Sequence, residues 1–224
     1  MGHVWKIPTA SLSASTLLKT RADRSVISSV VPEATLMLQQ QLMCPILWVD
    51  YTTARVRIRY PKPATIGADR LANAAAAVSL GKLPAIVVDF GTAVTFDVID
   101  SSGYYLGGII APGLATAASA LHERTALLPL IRIQKIQSPI GKSTSQGIQI
   151  GLLLGAVGIV REVVTRITRE CFGGRHPTVI ATGGDAELVA RLASDKGGRK
   201  AIDIVDPLLT LRGLQVIAAN QTTR

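Results

Sequence analysis

The sequence predicts an α/β fold with mixed sheets, divided into two domains. In the N-terminal part, apolar strand-like runs flank a helical pattern, and the order strand–helix–strand favours a parallel pair. After residue 85, three strand patterns follow one another at hairpin spacing, which is typical of an antiparallel meander. The pattern changes at residues 81–84, so we place the boundary near residue 82 and predict domains over 1–82 and 83–224.

Composition limits the class of protein. Of the 224 residues, 48% are hydrophobic, which supports a large core and argues against disorder. Cys44 and Cys171 lie far apart and form no CxxC motif, so a reduced cytoplasm fits best. The net charge of +9 comes from dispersed Lys and Arg, and aromatic residues make up only 4% of the chain. We therefore expect no nucleic-acid partner.

We also expect neither a membrane segment nor a secretory signal. Residues 1–6 contain no apolar signal-peptide core. The longest apolar tract, residues 148–160, is broken by Gln149 and three glycines and is too short to span a bilayer. We interpret this tract as part of a buried helix and predict a cytoplasmic protein.

The first predicted domain is a small α/β unit. Its elements are an edge strand over 4–8 that ends at a proline, a strand over 25–31, a helix over 33–42, a strand over 45–50 and an alanine-rich helix over 71–80. A loop stiffened by prolines, residues 60–70, delivers Asp69 and Arg70 to the start of that last helix. Because Asp at a helix N-terminus satisfies free N–H groups, Asp69 can be an ordinary N-cap.

Residues 85–100 organise the second predicted domain. The apolar run 85–88 is typical of a strand buried on both faces, and it ends at Asp89. The chain then turns at Gly91 and Thr92 and continues as an alternating strand. Glycine beside a hydroxyl residue lets backbone N–H groups approach an anion, and an aspartate there can hold the counter-cation. A tight hairpin with ordinary turn residues explains the same pattern.

The remaining elements complete the second domain. They are a strand over 104–113, helices over 114–127 and 147–171, a strand over 178–184, a helix from Asp185, a strand over 202–205 and a helix over 208–220. We interpret Asp97, Asp100 and Asp203 as structural residues.

Six short motifs in this order resemble the type III pantothenate kinase family, which belongs to the actin-like superfamily with Hsp70 and the sugar kinases. They are Ile66-Gly67-Ala68-Asp69-Arg70, which is similar to Gly-x-Asp-Arg, the second phosphate motif at 89–95, and the segments 107–113, 141–144, 181–184 and 206–210. Each motif is weak alone, but six in sequence form a strong signal. The resemblance runs from about residue 4 to the C-terminus and implies a two-domain actin-like (ribonuclease H-like) fold.

The resemblance implies ATP-dependent phosphorylation of pantothenate to 4′-phosphopantothenate, the first step of coenzyme A biosynthesis. Asp69 would be the general base on the pantothenate hydroxyl, and Arg70 would help to hold the anionic substrate. The implied pantothenate pocket consists of Tyr60, Gly67, Ala68, Asp69, Arg70 and, from the other domain, Thr144. Thr144 can equally be a helix cap, and Lys142 a solvated loop charge.

The same resemblance implies the ligands of the nucleotide. ATP would contact Gly91, Thr92, Gly183 and Gly184, Asp89 would bind the monovalent cation that the family uses, potassium or ammonium, and a divalent cation such as Mg²⁺ would accompany ATP. The family precedent is a homodimer. The face of the long helix that is punctuated by glycines permits close approach of a mate, although a buried helix within one chain explains it equally well.

One family motif has no counterpart here. The first phosphate loop, an Asp-x-Gly-Asn-Thr hairpin, matches no segment of the 224 residues. We therefore expect a first domain truncated at its N-terminus and little or no kinase activity from this chain. The alternative is a non-catalytic relative that retains the fold and acts as a binding or regulatory protein; another small-molecule kinase of the superfamily is a third possibility.

Overall fold

The computed structural model describes residues 4–5, 7, 11, 22–194 and 200–222. The strands are β1 (Ser25–Ile27), β2 (Ile46–Trp48), β3 (Arg57–Ile58), β4 (Ala85–Phe90), β5 (Ala93–Ile99), β6 (Tyr104–Pro112), β7 (Thr178–Gly183) and β8 (Ile204–Val205). The helices are α1 (Pro32–Gln41), α2 (Ala68–Ser79), α3 (Leu114–Glu123), α4 (Thr144–Glu170), α5 (Ala186–Ala193) and α6 (Leu209–Thr222), with a 3-10 turn at Pro63–Thr65.

The strands form one small sheet and one large mixed sheet. β1 and β2 make the parallel pair that the strand–helix–strand order predicts. The large sheet has six strands in the order β3-β6-β5-β4-β7-β8. β4, β5 and β6 form the predicted antiparallel meander, whereas β7 runs parallel to β4. The predicted mixed α/β architecture is therefore confirmed.

Helices cover both faces of the large sheet, which explains the continuous apolar run of β4. Ile86 and Val88 belong to the core cluster on the side of α4 and α5. Ala85 and Val87, which point the opposite way, belong to the cluster on the side of α2 and α6. Both faces of β4 are thus buried, as a strand in the middle of a sheet requires.

α2 and α6 pack together at very close range. A Cβ added at Gly213 on α6 would lie only 1.9 Å from the carbonyl oxygen of Ala72 on α2. Glycine therefore allows direct backbone contact between the helices, and the alanine-rich face of α2 supplies the matching flat surface. This contact fixes α2, the helix that begins beside Asp69.

Residues on both sides of position 82 share one core. Ile66 and Leu71 pack in the same cluster as Val87 and Ile180. β3 also joins the large sheet through its parallel pairing with β6. The domain boundary near residue 82 stays a prediction.

Two predicted strands need correction, and one observed strand was not predicted. Val4, Trp5 and Ile7 lie in no strand, and the rest of the predicted edge strand over 4–8 lies outside the described residues. The predicted strand over 25–31 covers only Ser25–Ile27, and Pro32, which was expected to stop the strand, is instead the first residue of α1. β3 is only two residues long and leaves no periodic signal in the sequence.

α4 is longer than predicted, with 27 residues. It begins at Thr144 because the Ser143 hydroxyl accepts a hydrogen bond from the backbone N–H of Gln146, at 3.2 Å. By length and composition alone α4 could cross a membrane, but a single such helix is weak evidence, since core helices of soluble proteins have the same character. Leu153 and Val160 are buried against the large sheet, whereas Leu154 is 46% exposed.

Candidate active site

The predicted ATP residues converge where β4 and β7 end. The two strands run parallel, with Asp89 opposite Thr182 and Phe90 opposite Gly183. Gly91 and Thr92 follow β4, and Gly184 follows β7, so both turns leave the same edge of the sheet. In open α/β sheets, this carboxyl edge is where ligands bind.

Gly183 occupies a position that no other residue can fill without strain. Its φ is +93°, a left-handed value that favours glycine. A Cβ there would lie 2.5 Å from the carbonyl oxygen of Phe90 and 2.6 Å from Oδ1 of Asp89. The glycine thus lets the β7 turn pass directly beside the Asp89 carboxylate.

The hairpin tip rests against the N-terminus of α3. The carbonyl oxygen of Thr92 accepts hydrogen bonds from the backbone N–H of Gly113, at 3.0 Å, and from the Thr116 hydroxyl, at 2.7 Å. No side chain caps this helix end, where Gly113 is the N-cap. The N–H groups of the first turn of α3 therefore offer donors to an anion, whereas the Gly91 N–H at the tip already donates to the Ala93 carbonyl oxygen at 3.0 Å.

A cavity lies beside the diglycine turn. It has a volume of about 550 Å³, and its wall includes Gly183, Gly184, Lys135, Arg191, Leu188 and Pro207. Glu187, also in the wall, pairs with Arg191 at 3.2 Å, so the lining combines apolar side chains, an ion pair and Lys135, a mixture that suits a polar organic ligand.

The Asp89 carboxylate accepts a hydrogen bond from the side-chain amide of Asn73 on α2. Asn73 Nδ2 on α2 donates to Asp89 Oδ2 at 3.0 Å, and the Thr210 hydroxyl on α6 donates to Asn73 Oδ1 at 2.7 Å. Burial raises the pKa of Asp89, the bond from Asn73 opposes this effect, and the negative charge of Asp69 adds to the rise. The network leaves Oδ1 of Asp89 directed toward the Gly183 turn.

Asp69 lies in the first turn of α2 and is half-buried. Gly67 is the N-cap of this helix, and no side chain caps it, so the interpretation of Asp69 as the N-cap is wrong. Asp69 Oδ1 accepts a hydrogen bond from the backbone N–H of Arg70 at 2.8 Å. Its charge contributes to raising the pKa of both Asp89 and Asp97, which places the three carboxylates within electrostatic reach of one another.

Arg70 enters a buried ion pair. Its Nε lies 2.7 Å from Asp97 Oδ1 on β5, and the same oxygen accepts a hydrogen bond from the Tyr105 hydroxyl at 2.9 Å. Burial raises the pKa of Asp97 to about 7, although Arg70 opposes the rise. Burial, together with the charge of Asp97, raises the pKa of Tyr105 and keeps its hydroxyl a donor.

Tyr60 joins the same wall of the site. Its ring meets that of Tyr105 edge to face, with centroids 6.3 Å apart. It also lies over Gly107 of β6, where an added Cβ would come within 3.4 Å of the Tyr60 ring. The structure therefore brings Tyr60 and Arg70 together through their shared neighbour Tyr105.

Thr144 stands apart from this wall. It is exposed at the first position of α4, and Ser143 caps the helix, so Thr144 is not its N-cap. Lys142 is exposed as well, and its backbone N–H donates to Gln146 Oε1 at 2.7 Å. Within the described part of the chain, no hydrogen bond joins Thr144 to α2.

Sequence reasoning missed Asn73 and Thr210. Asn73 is fully buried, and it is the only amide in the run of alanines that forms α2. A lone buried amide in an apolar helix requires partners, and that requirement was a usable signal. Thr210 closes the 206–210 motif, whose Asp206 begins α6 by accepting a hydrogen bond from the backbone N–H of Leu208 at 3.0 Å.

The described residues contain no group of three or more His, Cys, Asp or Glu side chains arranged to hold a metal ion. The site consists instead of carboxylates, glycine turns and one buried guanidinium. Donors for phosphates lie on one wall, and a carboxylate able to take a proton from a hydroxyl lies on another. A kinase is the class of protein that this fold and site define.

Comparison with known proteins identifies the family. Residues 7–166 match the sequence model of type III pantothenate kinase. A type III pantothenate kinase from Akkermansia muciniphila is 43% identical over 219 residues, which cover 96% of this chain and 87% of the relative. One from Methylacidiphilum infernorum is 38% identical, covering 95% of this chain and 78% of the relative. The chain belongs to the type III pantothenate kinase family.

Members of this family phosphorylate pantothenate with ATP in coenzyme A biosynthesis, so the predicted enzyme class and reaction are confirmed. A Baf family protein from Campylobacter jejuni has a similar solved structure, with a TM-score of 0.66 and 20% identity over 95% of this chain and 90% of that one. At this identity the likeness concerns the fold alone. The α/β architecture and the family assignment together confirm the predicted fold class.

Proposed function

We propose that Asp69 is the general base of pantothenate phosphorylation in this chain. The observation that carries the proposal is the position of Asp69 at the start of α2, half-buried and within electrostatic reach of Asp89 at the carboxyl edge of the sheet. A base there would take the proton of the substrate hydroxyl as the hydroxyl attacks a phosphoryl group aligned at the strand ends.

ATP would occupy the carboxyl edge of β4 and β7. The tip at Gly91 and Thr92, with the uncapped N-terminus of α3, would face the phosphates. The cavity beside Gly183 and Gly184 would take the rest of the nucleotide, with Lys135 and Arg191 as cationic neighbours. A divalent cation such as Mg²⁺ would accompany the phosphates and neutralise their charge.

Asp89 would hold a monovalent cation, potassium or ammonium. The residues fit such an ion, because Asp89 Oδ2 is engaged by Asn73 while Oδ1 accepts no hydrogen bond from the described residues. Burial and the nearby charge of Asp69 both disfavour ionised Asp89, and a bound cation would offset both effects. The ion would also reduce repulsion between this carboxylate and the ATP phosphates.

Pantothenate would lie against Tyr60 and the loop formed by Gly67, Ala68, Asp69 and Arg70. The contact between Tyr60 and Tyr105 and the ion pair of Arg70 support this wall. Thr144 lies apart from this wall within one chain. In a homodimer, Thr144 of a second copy would contact pantothenate.

A homodimer would use the exposed face of α4. Gly147, Gly151, Gly155 and Gly158 have open space where a Cβ would stand, and Leu154 is 46% exposed between them. Light scattering during size-exclusion chromatography would measure the mass in solution, and a homodimer would have twice the 23.6 kDa mass of one chain. We also propose a cytoplasmic location, since Cys44 and Cys171 are both free thiols.

The test of the kinase proposal is product formation. Purified chain, ATP and pantothenate are incubated with potassium and Mg²⁺, and ADP and 4′-phosphopantothenate are both quantified, the latter by mass spectrometry. In a version extended upstream by an Asp-x-Gly-Asn-Thr hairpin, Asp69→Asn is expected to lower turnover by about 10²–10⁴-fold while ATP affinity stays close to that of the parent form. Glu123→Gln, which removes an exposed carboxylate at the C-terminal end of α3, serves as the matched control.

Turnover close to the parent value in Asp69→Asn would contradict the proposal that Asp69 is the general base. The 224-residue chain is assayed in parallel and is expected to make little or no product. If neither form makes 4′-phosphopantothenate, the non-catalytic alternative is favoured.

A further inference from the structure

The ion pair between Arg70 and Asp97 is buried but only half satisfied. The side chains of Arg70 and Asp97 are 15% and 0% exposed. Arg70 Nη2 and Asp97 Oδ2 are both buried and have no hydrogen-bond partner among the described residues. Unsatisfied buried polar atoms are costly, and each one calls for an explanation.

Stability alone explains this arrangement poorly. Desolvating two charges often costs as much as their attraction returns, so well-packed apolar residues at the same positions can stabilise a fold equally well or better. A pair that also leaves two polar atoms unpartnered is less favourable still. The arrangement is easier to understand if the guanidinium has a further acceptor during function.

The geometry leaves most of the guanidinium donors without a protein acceptor. Only Nε–H donates to Asp97, so the contact is made through one N–H group rather than as a two-pronged pair. The N–H groups on the two Nη atoms have no acceptor in the part of the chain that the structure describes. Since a guanidinium is planar and rigid, fixing Nε also fixes the direction of the remaining donors.

Two neighbours hold this orientation. The Tyr105 hydroxyl donates to the same Asp97 oxygen that accepts from Arg70, at 2.9 Å. Gly108 on β6 provides the space, because a Cβ at that position would lie 2.2 Å from Arg70 Nη2. β5 and β6 thus determine how the side chain of a helix residue is directed.

We propose that Asp97, supported by Tyr105, is a positioning residue that aims the Nη1 donors of Arg70 at an acceptor oxygen of pantothenate. The inference rests on the proposed role of Arg70 in binding substrate. It replaces our interpretation of Asp97 as a purely structural residue. Asp97 itself does not touch substrate and acts only through Arg70.

The experiment measures pantothenate and ATP affinity separately by calorimetry on the full chain, with thermal unfolding recorded for every variant. Arg70→Ala and Asp97→Asn are each expected to weaken pantothenate binding by about 10- to 100-fold, with ATP affinity unchanged. The double variant should bind pantothenate no more weakly than Arg70→Ala, because the two changes remove the same interaction. Tyr105→Phe, a milder change for folding, should weaken pantothenate binding by about two- to fivefold.

Asp100→Asn is the matched control. Asp100 lies just beyond β5 and also pairs with an arginine, Arg59, but that arginine is 61% exposed and the atoms are 3.5 Å apart. Its replacement should leave both affinities unchanged.

Each remaining outcome is decisive. If Arg70→Ala weakens pantothenate binding while Asp97→Asn and Tyr105→Phe only lower the unfolding temperature, Asp97 is structural and the inference fails, with the role of Arg70 intact. If Asp97→Asn does not fold, Tyr105→Phe with parental affinity overturns the inference. If Arg70→Ala binds normally, both the inference and the proposed role of Arg70 fail, whereas the assay of Asp69→Asn still judges the kinase.

Discussion

Asn73 Nδ2 donates a hydrogen bond of 3.0 Å to Asp89 Oδ2, and this single bond joins the helix that carries Asp69 to the strand end at the predicted cation site. Asn73 and Asp69 are four residues apart on α2, so they lie one helical turn from each other on the same face. The proposed base, Asp69, and the proposed cation ligand, Asp89, are therefore positioned by one rigid element rather than by separate loops.

Asn73→Ala should destabilise the fold and loosen the ATP side of the site. The change leaves partly buried oxygens of Asp89 and Thr210 without their partner, which costs roughly 1–3 kcal/mol of unfolding free energy. Urea unfolding and ATP calorimetry are the measurements. Thr210→Ser, which keeps the hydroxyl, is the control and should behave like the parent chain. Parental stability in Asn73→Ala would contradict the prediction.

Asp89→Ala should raise the KM for ATP and abolish the dependence of turnover on potassium or ammonium. Without the carboxylate, the half-buried site no longer attracts a cation to shield the phosphates. Initial rates of the version extended upstream are measured while potassium is titrated against a constant background of a large organic cation. A potassium titration curve unchanged by the mutation would show that the cation binds elsewhere.

Gly183→Ala should destabilise the chain by about 1–3 kcal/mol, because the residue would be held at a left-handed φ against the Phe90 carbonyl and the Asp89 carboxylate. ATP affinity should fall as well, since relief of the clash would move the Asp89 carboxylate or the turn. Gly184→Ala is the control for the effect on stability and should cost less unfolding free energy, because nothing lies within 4 Å of a Cβ added at that position. Equal unfolding free energies for the two variants would count against the close approach.

Pantothenate affinity should weaken as the pH falls through about 7. The raised pKa of Asp97 means that its carboxylate takes a proton in this range and stops orienting Arg70. The groups that face Asp97 are Arg70 and Asp69 from α2 and Tyr105 from β6; burial and the charge of Asp97 raise the pKa of Tyr105, so it stays protonated here. Calorimetry between pH 6 and pH 8, at roughly unit steps, should show the change in the parent chain and not in Asp97→Asn.

Much of the architecture was predictable because the signals are local. The apolar run of β4, the turn at Gly91 and the alternation of β5 determine the hairpin, and the structure follows that pattern. The glycine motifs could likewise be assigned to strand ends. Helix ends were less accurate, since the start of α4 depends on one hydroxyl, that of Ser143, which composition does not distinguish from its neighbours.

The contacts that assemble the site were not predictable, because they join residues far apart in the sequence. Asp97 sits in a strand whose alternation predicts nothing about its partner, and Arg70 lies 27 positions earlier. Thr210 meets Asn73 across 137 positions. Only the packing of α2 against the sheet and α6 brings these pairs together.

The contact between Gly213 and Ala72 makes the last helix part of the cooperative unit that contains the site. With backbone touching backbone, α6 cannot move outward without freeing α2 along its buried face. Amide protons in the two helices should therefore exchange with solvent through a common opening event rather than independently. A destabilising substitution in α6, far along the chain from Asp69, would then increase the fraction of molecules in which Asp69, the proposed base, is displaced from the site.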